Sequence, residues 1–249
     1  MKNNIKNNIK NKLKERTVIM ATILITGANK GIGLELAIRY AKSGNNVFAC
    51  CRNPDNADEL NILAEQYDLT VVAVSVGDDS SVNAMAEKLQ DTPIDILINN
   101  AGTIGPKPEQ QTAYVMDFDG WADTMNINAL APVRVMHALM TNLRAGSNRK
   151  VVTISSQLGA ISVDMPMNYA YSASKAAINK YMKLAAIELA KENINVGLIH
   201  PGWVQTSMGG PGADITPQES AVGIINVIDK LNAENNGGFW NWNGEVHAW

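Results

Sequence analysis

The stretch Ile23-Leu24-Ile25-Thr26-Gly27-Ala28-Asn29-Lys30-Gly31-Ile32-Gly33-Leu34-Glu35-Leu36-Ala37 decides the fold. Its apolar run Ile23–Ile25 predicts a buried strand, and helical periodicity begins directly after the glycines. A strand, a tight turn and a helix direct backbone N–H groups and the positive helix end at one spot, which suits a pyrophosphate. We expect Gly27 to permit the turn, Gly31 to let phosphates approach the backbone, and Gly33 to let the helix pack close to the sheet.

The rest of the chain alternates apolar strands with amphipathic helices and contains no Pro/Gly/Ser-rich linker. This pattern predicts a single doubly wound (Rossmann) α/β domain over residues 20–249, with a central parallel sheet of about seven strands and helices on both faces. Thr216, Pro217 and Glu219 predict the start of a helix over 217–231. The aromatic tail 237–244 is expected to form an edge strand or a subunit contact. Strands are predicted at 22–26, 46–51, 70–76, 94–98, 149–155 and 194–200.

Composition excludes several classes of function. The 249 residues carry a net charge of −3. Residues 1–19 hold six Lys or Arg and one Glu, so the rest of the chain is acidic, which argues against a nucleic-acid-binding protein. We expect 1–19 to be a disordered Lys/Asn-rich extension, with a targeting segment as the alternative. The sequence has no apolar run of membrane-spanning length, so no membrane association and a cytoplasmic location are expected.

Few side chains in the sequence could form a disulfide or bind a metal ion. Cys50 and Cys51 are adjacent on a predicted strand, and the three histidines lack ligand spacing, so neither a disulfide nor a metal site is predicted. Glu35 is expected to begin the surface face of the first helix, and Asp95 to have a structural role near the central strand.

Small, polar or turn-forming residues occur where the predicted strands end. Asn99-Asn100-Ala101-Gly102 follows the fourth strand, Ser155-Ser156 the fifth, and Pro201-Gly202 the sixth. Ligands of open α/β sheets bind beyond the carboxyl ends of the strands. These residues therefore indicate a ligand site at that edge, beside the glycine turn.

Tyr171 and Lys175 are four residues apart and share one face of a predicted helix. A Lys ammonium beside a phenol favours phenolate, so we expect Lys175 to lower the pKa of Tyr171. Tyr171 could then exchange a proton with a carbonyl–alcohol pair near neutral pH. Ser156 could donate a hydrogen bond to the same oxygen.

With these motifs in this order, residues 20–249 resemble the short-chain dehydrogenase/reductase superfamily. The resemblance implies that Tyr171 is the proton donor and acceptor, that Ser156 orients the substrate, and that Lys175 binds the nicotinamide ribose. It also implies that Asn128 holds a water of the proton relay, the alternative being a residue that only kinks its helix. The motifs are Thr26-Gly27-x-x-x-Gly31-x-Gly33, Asn99-Asn100-Ala101-Gly102, Asn128 in Ile127-Asn128-Ala129, Ser155-Ser156-x-x-Gly159, Tyr171-x-x-x-Lys175 and Pro201-Gly202.

The last fifty residues resemble the C-factor/sniffer-type carbonyl reductase branch, through His200-Pro201-Gly202-Trp203-Val204, Thr216-Pro217-x-Glu219, Gly238-Phe239 and Trp249. The short segment between Pro201 and Thr216 predicts an accessible site with broad carbonyl specificity. The resemblance further implies a homodimer or homotetramer. Residues expected to bind substrate are Ser156, Gln157, Leu158, Tyr171 and Trp203, although Trp203 could equally be a core residue.

The sequence predicts NADP(H) as the preferred cofactor over NAD(H). The strand that meets the adenosine ribose ends in Cys50-Cys51-Arg52, without the acid that would accept a ribose 2′-OH. Arg52 and Lys30 could pair with a 2′-phosphate, or they could be solvated surface cations. Ser75 stands where many relatives have Asp, so it would bond the adenine edge without charge. The expected cofactor-binding residues are Gly27, Asn29, Lys30, Gly31, Ile32, Gly33, Arg52, Ser75, Val76, Asn100, Ala101, Gly102, Tyr171, Lys175, Pro201, Gly202, Val204 and Thr206.

Two other functions remain open on this scaffold. A nucleotide-binding signalling or redox-sensing protein would keep the fold with little turnover, but binding alone would not need Tyr171. A dehydratase or epimerase usually carries a larger substrate region than this chain has. The complete set of Asn128, Ser156, Tyr171 and Lys175 therefore favours an oxidoreductase that transfers hydride reversibly between nicotinamide and a carbonyl or alcohol.

Overall fold

The computed structural model describes residues 20–249, so the segment 1–19, expected to be disordered, lies outside the described residues. Apolar runs, buried almost throughout in the central strands, form seven strands. The strands are β1 (Thr22–Thr26), β2 (Asn46–Cys51), β3 (Leu69–Ala73), β4 (Ile96–Asn99), β5 (Lys150–Ile154), β6 (Asn195–His200) and β7 (Gly238–Asn241). They pair in parallel in the order β3-β2-β1-β4-β5-β6-β7, and the doubly wound α/β fold is confirmed.

Helices cover both faces of this sheet and bury its alternating side chains in two apolar clusters. The helices are α1 (Gly31–Lys42), α2 (Asp58–Gln66), α3 (Asp79–Leu89), α4 (Phe118–Met125), α5 (Ala131–Ala138), α6 (Met140–Ala145), α7 (Tyr169–Leu189) and α8 (Pro217–Lys230). One face is covered by α3, α5 and α7, and the other by α1, α2 and α8. A π-helical turn over Asn126–Leu130 joins α4 to α5.

The order of the strands determines which part of the sheet edge can hold a ligand. The chain runs outward from β1 through β2 to β3, then returns to add β4 on the other side of β1. Ile25 consequently pairs with Ala49 of β2 and with Ile98 of β4. This reversal opens a crevice beyond the carboxyl ends of β1 and β4, the usual ligand site of such sheets.

Several local predictions are confirmed. Thr216 caps α8, and its hydroxyl and the Glu219 carboxylate form the expected capping box. The tail strand β7 lies at the edge of the sheet and buries Phe239 in the core. Asp95 has the expected structural role: its carboxylate accepts hydrogen bonds from the backbone N–H groups of Thr22, Ser147 and Asn148. Burial alone would raise the pKa of Asp95, but these hydrogen bonds outweigh it and lower the pKa.

Two predictions need correction. The third strand ends at Ala73 rather than at residue 76, because the Ser81 hydroxyl accepts a hydrogen bond from the Ser75 N–H and the chain turns away. Glu35 is buried rather than on a surface face of α1. The reason is tertiary, since α8 packs against α1 and covers the side that the sheet leaves open.

Among residues 20–249, no helix combines the length and the apolar character needed to cross a membrane.

Candidate active site

The glycine turn after β1 is held against the end of β4 by close backbone packing. Gly27 has φ +66°, and a Cβ there would lie 2.9 Å from the Ala101 Cα. A Cβ on Gly33 would lie 2.3 Å from the Gly27 carbonyl oxygen and 2.4 Å from the Asn100 Nδ2. These approaches exclude side chains, so the turn keeps its curvature only with glycine. The predicted roles of Gly27 and Gly33 agree with this packing.

Asn100 joins the two strand ends through hydrogen bonds. Its Nδ2 donates to the carbonyl oxygens of Thr26 at 3.0 Å and Gly27 at 3.1 Å. The Thr26 hydroxyl in turn accepts from the backbone N–H groups of Asn100 at 3.0 Å and Ala101 at 3.1 Å. Asn100 therefore shapes the glycine turn, and its Nδ2 is already occupied by protein acceptors.

The first turn of α1 begins at this crevice, so the backbone N–H groups that have no partner inside the helix lie at its edge. Gly31 begins the helix with φ +56°, and the first turn carries no acidic side chain. A Cβ on Gly31 would lie 3.1 Å from the Thr206 Cγ2, so the segment after β6 borders the turn from the other side. Free N–H groups at a helix N-terminus favour an anion. The structure thus brings Thr206, one of the residues predicted to bind the cofactor, to the glycine turn.

The segment after β6 is a rigid bend. Gly202 has φ +87°, and a Cβ there would lie 2.5 Å from the Ile215 Cδ1. The Pro201 carbonyl oxygen accepts a hydrogen bond from the Ser220 hydroxyl of α8, and Val204 is buried. Trp203 is 51% exposed, and its Nε1 donates to the Gly209 carbonyl oxygen. The core interpretation of Trp203 is therefore wrong, because its ring lies at the surface of the bend.

On the other side of the crevice, Ser156, Tyr171 and Lys175 are all buried. Ser156 lies two residues after the end of β5, and its Oγ accepts a hydrogen bond from the Leu158 N–H in the turn that contains Gln157. A Cβ on Gly159 would lie 2.8 Å from the Lys175 Cβ. The turn after Ser156 is therefore packed directly on the face of α7 that carries Lys175.

Lys175 is held in place by the end of β5. Its Nζ donates to the Ile154 carbonyl oxygen at 2.8 Å and lies 5.6 Å from the centroid of the Tyr171 ring. Burial lowers the pKa of Lys175 to about 8. Near neutral pH the side chain is still mostly protonated, and Nζ has N–H groups to offer besides the one given to Ile154.

The pKa of Tyr171 moves in the direction opposite to the one expected. Burial raises it above its usual value, and the neighbouring Ser156 hydroxyl offsets part of that rise. The expected lowering by Lys175 is overturned in this arrangement, because desolvation of the phenolate is the larger influence. Tyr171 is accordingly a protonated phenol, and hence a proton donor, at neutral pH.

Asn128 lies in the π-helical turn and is fully buried. Its Oδ1 accepts from the Thr103 N–H at 2.9 Å, and its Nδ2 donates to the Thr103 carbonyl oxygen at 2.8 Å and to the Ser174 Oγ at 3.0 Å. A Cβ on Gly102 would lie 3.2 Å from the Asn128 Oδ1 and 3.8 Å from the Lys175 Nζ. The helix is therefore distorted into a π-helical turn at Asn128. The Asn128 side chain and the Lys175 Nζ both lie close to Gly102.

Sequence reasoning missed a layer of buried polar residues below this site. The Ser155 hydroxyl donates to the Asn179 Oδ1 at 2.5 Å, and the Asn179 Nδ2 donates to the Gly159 carbonyl oxygen at 3.2 Å. Asn179 is four residues after Lys175 and so shares its helix face, a spacing that could have identified it. The hydroxyl of Ser174 and the backbone of Thr103, which hold Asn128, carry no comparable signal.

The residues expected at the adenosine end follow β2 and β3. Four of the residues expected to bind the cofactor are exposed: Asn29, Lys30, Arg52 and Gly102. Ile32 and Ser75 are partly buried, and Val76 is buried. The order β3-β2-β1-β4-β5 places Arg52, Ser75 and Val76, which follow β2 and β3, on one side of β1. Gly102 and Ser156, which follow β4 and β5, lie on the other side. The crevice therefore has a cationic end, at Arg52 and Lys30, and a second end at Tyr171.

Comparisons with known proteins agree with this geometry. The family model described as short chain dehydrogenase matches residues 21–214. The C-signal protein of Myxococcus xanthus is 38% identical over 169 residues, which cover 68% of this chain and 100% of that protein. The NADPH-bound carbonyl reductase from chicken fatty liver has a TM-score of 0.84 at 30% identity, covering 92% of this chain and 99% of that one.

The carbonyl reductase Sniffer of D. melanogaster has a TM-score of 0.85 at 30% identity, covering 92% of this chain and 100% of that one. The match extends over nearly all the residues that form the sheet, the glycine turn and the Ser156–Lys175 region. The chain therefore belongs to the short chain dehydrogenase/reductase family of oxidoreductases, in its C-factor and carbonyl reductase branch.

Proposed function

We propose that this protein is an NADP(H)-dependent carbonyl reductase, in which Tyr171 exchanges the proton while hydride passes reversibly between nicotinamide and a carbonyl or alcohol carbon. The observation that carries the proposal is the placement of buried Ser156, Tyr171 and Lys175 beside Asn128, at the edge of the sheet that also holds the glycine turn. A protein that only bound a nucleotide would need the turn but not the buried phenol.

The residues present fit a dinucleotide. Side chains at Gly27, Gly31 or Gly33 would fill the cradle between the turn, Ala101 and Thr206, so the cradle depends on their absence. The N-terminus of α1 would hold the pyrophosphate, and Lys175 would donate to the nicotinamide ribose from the N–H groups that Ile154 leaves free. When bound, the cofactor supplies the hydride.

The protein's own groups would act on the substrate oxygen. Tyr171, kept protonated by its raised pKa, would donate its proton to the oxygen as negative charge develops there. The Ser156 hydroxyl would hold the same oxygen and stabilise that charge, which a preorganised donor in a water-poor site does efficiently. Lys175 would keep a positive charge behind the phenol and assist its reprotonation, with Asn128 fixing the neighbouring backbone.

A preference for the phosphorylated cofactor is supported by charge. Arg52 directly follows β2, Lys30 lies in the glycine turn, and both side chains are exposed beside the expected adenosine ribose. A guanidinium can bind a phosphate with two hydrogen bonds, whereas an acid at this strand end would repel it. That the chicken carbonyl reductase is NADPH-bound supports the same choice.

Broad carbonyl specificity is supported by the open side of the site. The bend between Pro201 and Thr216 is short, and Trp203 and Met208 on it are substantially exposed. A thioether side chain adapts its shape to different apolar groups. Similar kcat/KM values for small and bulky ketones would agree with this proposal, and a sharp preference for one compound would contradict it.

Nucleotide sensing with little turnover is the second candidate, because a relative of this chain is named C-signal. The test is NADPH oxidation over a panel of aldehydes, ketones and quinones, with Tyr171→Phe as the inactive variant. Tyr169→Phe is the matched control, since that phenol lies two residues away and is more exposed. Turnover that Tyr171→Phe abolishes and Tyr169→Phe retains supports a reductase, whereas tight NADPH binding without turnover favours sensing.

The assembly and location of the protein stay predictions. A homodimer or homotetramer is testable by light scattering, and a cytoplasmic location by fractionation. Partners are expected to be small carbonyl or alcohol compounds rather than nucleic acid.

A further inference from the structure

Arg134, on α5, makes contacts that the proposed reaction does not explain. Its guanidinium is mostly buried and reaches three separate segments. Nη1 donates to the Val76 carbonyl oxygen at 2.9 Å, Nη2 donates to the Asn126 Oδ1 at 3.1 Å, and Nε pairs with the Asp79 carboxylate. The planar fork of five donors in Arg suits such a three-way contact, which Lys could not reproduce.

These three acceptors lie in two functional regions. Val76 is in the loop after β3, where adenine recognition is expected, and Asp79 begins α3 directly after that loop. Asn126 begins the π-helical turn, and Asn128 is two residues further along the same turn. Arg134 thus ties the adenine end of the crevice to the turn that carries Asn128.

A second and independent contact joins the same two segments. The Asn126 Nδ2 donates to the Gly77 carbonyl oxygen at 2.9 Å. A Cβ on Gly77 would lie 2.6 Å from the Ile127 Cδ1 and 3.0 Å from the Asn126 Nδ2. The loop backbone is therefore pressed against the two residues that precede Asn128, and glycine is what allows this approach.

The ion pair with Asp79 does not by itself account for this arrangement. The Asp79 side chain is 79% exposed, and an ion pair with so exposed a partner contributes little to stability. The other hydrogen bonds connect a loop carbonyl to a helix distortion, rather than one regular element to another. Their shared effect is to fix the position of Ser75–Gly77 relative to the π-helical turn.

We infer that Arg134 is a positioning residue that couples the adenine-binding loop to Asn128, so that adenine contacts on Ser75 and Val76 also set the geometry of the catalytic end. The inference rests on the proposed function, because it takes the loop after β3 as the adenine site. It adds that the two ends of the crevice are linked through the protein and not only through the cofactor. Asn126 is the second member of this link.

The test measures the two ends separately. Binding of 2′,5′-ADP, which carries only the adenosine half, is measured by calorimetry, and kcat is measured at saturating NADPH. For Arg134→Met and Asn126→Ala we expect the affinity for 2′,5′-ADP to fall about five- to tenfold. We also expect kcat to fall about tenfold, because a displaced Asn128 disturbs the site. Arg134→Lys should resemble Arg134→Met.

The matched control is Arg144→Met, which removes an Arg of the next helix that pairs with Glu192 instead. It should leave both quantities within about twofold of the wild type. Thermal unfolding identifies a variant that has lost its fold, and the milder Asn126→Ala then decides. A fall in affinity with unchanged kcat, or no change in either, would overturn the coupling. Absence of NADPH binding by the wild type would instead overturn the proposed function.

Discussion

The Nζ of Lys175 lies 5.6 Å from the centroid of the Tyr171 ring, and burial shifts the two pKa values in opposite directions, away from each other. The pKa of Lys175 falls to about 8, while that of Tyr171 rises. Both groups are therefore mostly protonated at neutral pH. In the proposed reaction, this is the state that would donate a proton to a carbonyl oxygen.

The first prediction concerns the pH profile. Carbonyl reduction should fall above pH about 8, where Lys175 loses its proton, whereas alcohol oxidation should increase with pH because it needs phenolate. In Lys175→Arg, the pH at which the remaining reduction activity falls should be higher than in the wild type, because a guanidinium stays charged. Initial rates of reduction and of oxidation, measured from about pH 6 to about pH 10, check this prediction. A reduction rate that stays flat above pH 8 would contradict it.

The second prediction concerns the choice of cofactor. Arg52→Ala and Lys30→Ala should each lower the NADPH to NADH ratio of kcat/KM by about tenfold, because each removes a charge from the expected 2′-phosphate position. Most of the loss should be in KM for NADPH, with KM for NADH little changed. Lys42→Ala, at the far end of α1, is the control and should keep the wild-type ratio. An unchanged ratio in Arg52→Ala would exclude Arg52 from phosphate binding.

The third prediction concerns the packing of the glycine turn. Alanine is favoured over glycine within a helix by about 1 kcal/mol, yet Gly33→Ala should destabilise the protein by about 1–3 kcal/mol. Its Cβ would lie 2.3 Å from the Gly27 carbonyl oxygen, so the helix must move off the sheet. Gly212→Ala, whose Cβ would meet nothing within 4 Å, is the control. Urea unfolding and NADPH affinity are the measurements, and a stabilised Gly33→Ala would refute this packing.

The fourth prediction concerns His200, which is the last residue of β6 and packs edge-on against His247. Burial and the neighbouring His247 lower the pKa of His200 from 6.5 to about 4. Between those values the unfolded chain binds a proton that the folded protein does not, so stability falls as the pH falls. The contribution lost by pH about 4 is up to about 3 kcal/mol.

Urea unfolding from about pH 7.5 to about pH 4 measures this loss. In His200→Gln the free energy of unfolding should depend less steeply on pH than in the wild type, by up to about 3 kcal/mol over this range. The exposed His137 supplies the control, since His137→Gln should keep the wild-type slope. Equal slopes in the His200 variant and the wild type would show that His200 is not held neutral in the fold.

Much of the fold could be predicted from the chain because its signals are local. Apolar runs bounded by turns located six of the strands, and the capping box at Thr216 located the start of α8. The sequence pattern places the end of β3 too late, because apolar Val74 and Val76 continue the pattern of a strand. Only the folded chain brings the Ser81 hydroxyl to the Ser75 N–H and ends the strand there.

The sequence by itself determined the chemistry that is available: a glycine turn after the first strand, a phenol and a lysine on one helix face, and a serine at a strand end. Spacing along one element determines such neighbours, because a helix and a strand have fixed periods. Tertiary structure alone decided the burial of Glu35 under α8, the raised pKa of Tyr171 and the contacts of Arg134. These depend on desolvation and on contacts between segments far apart in the chain, which the local pattern of residues does not encode.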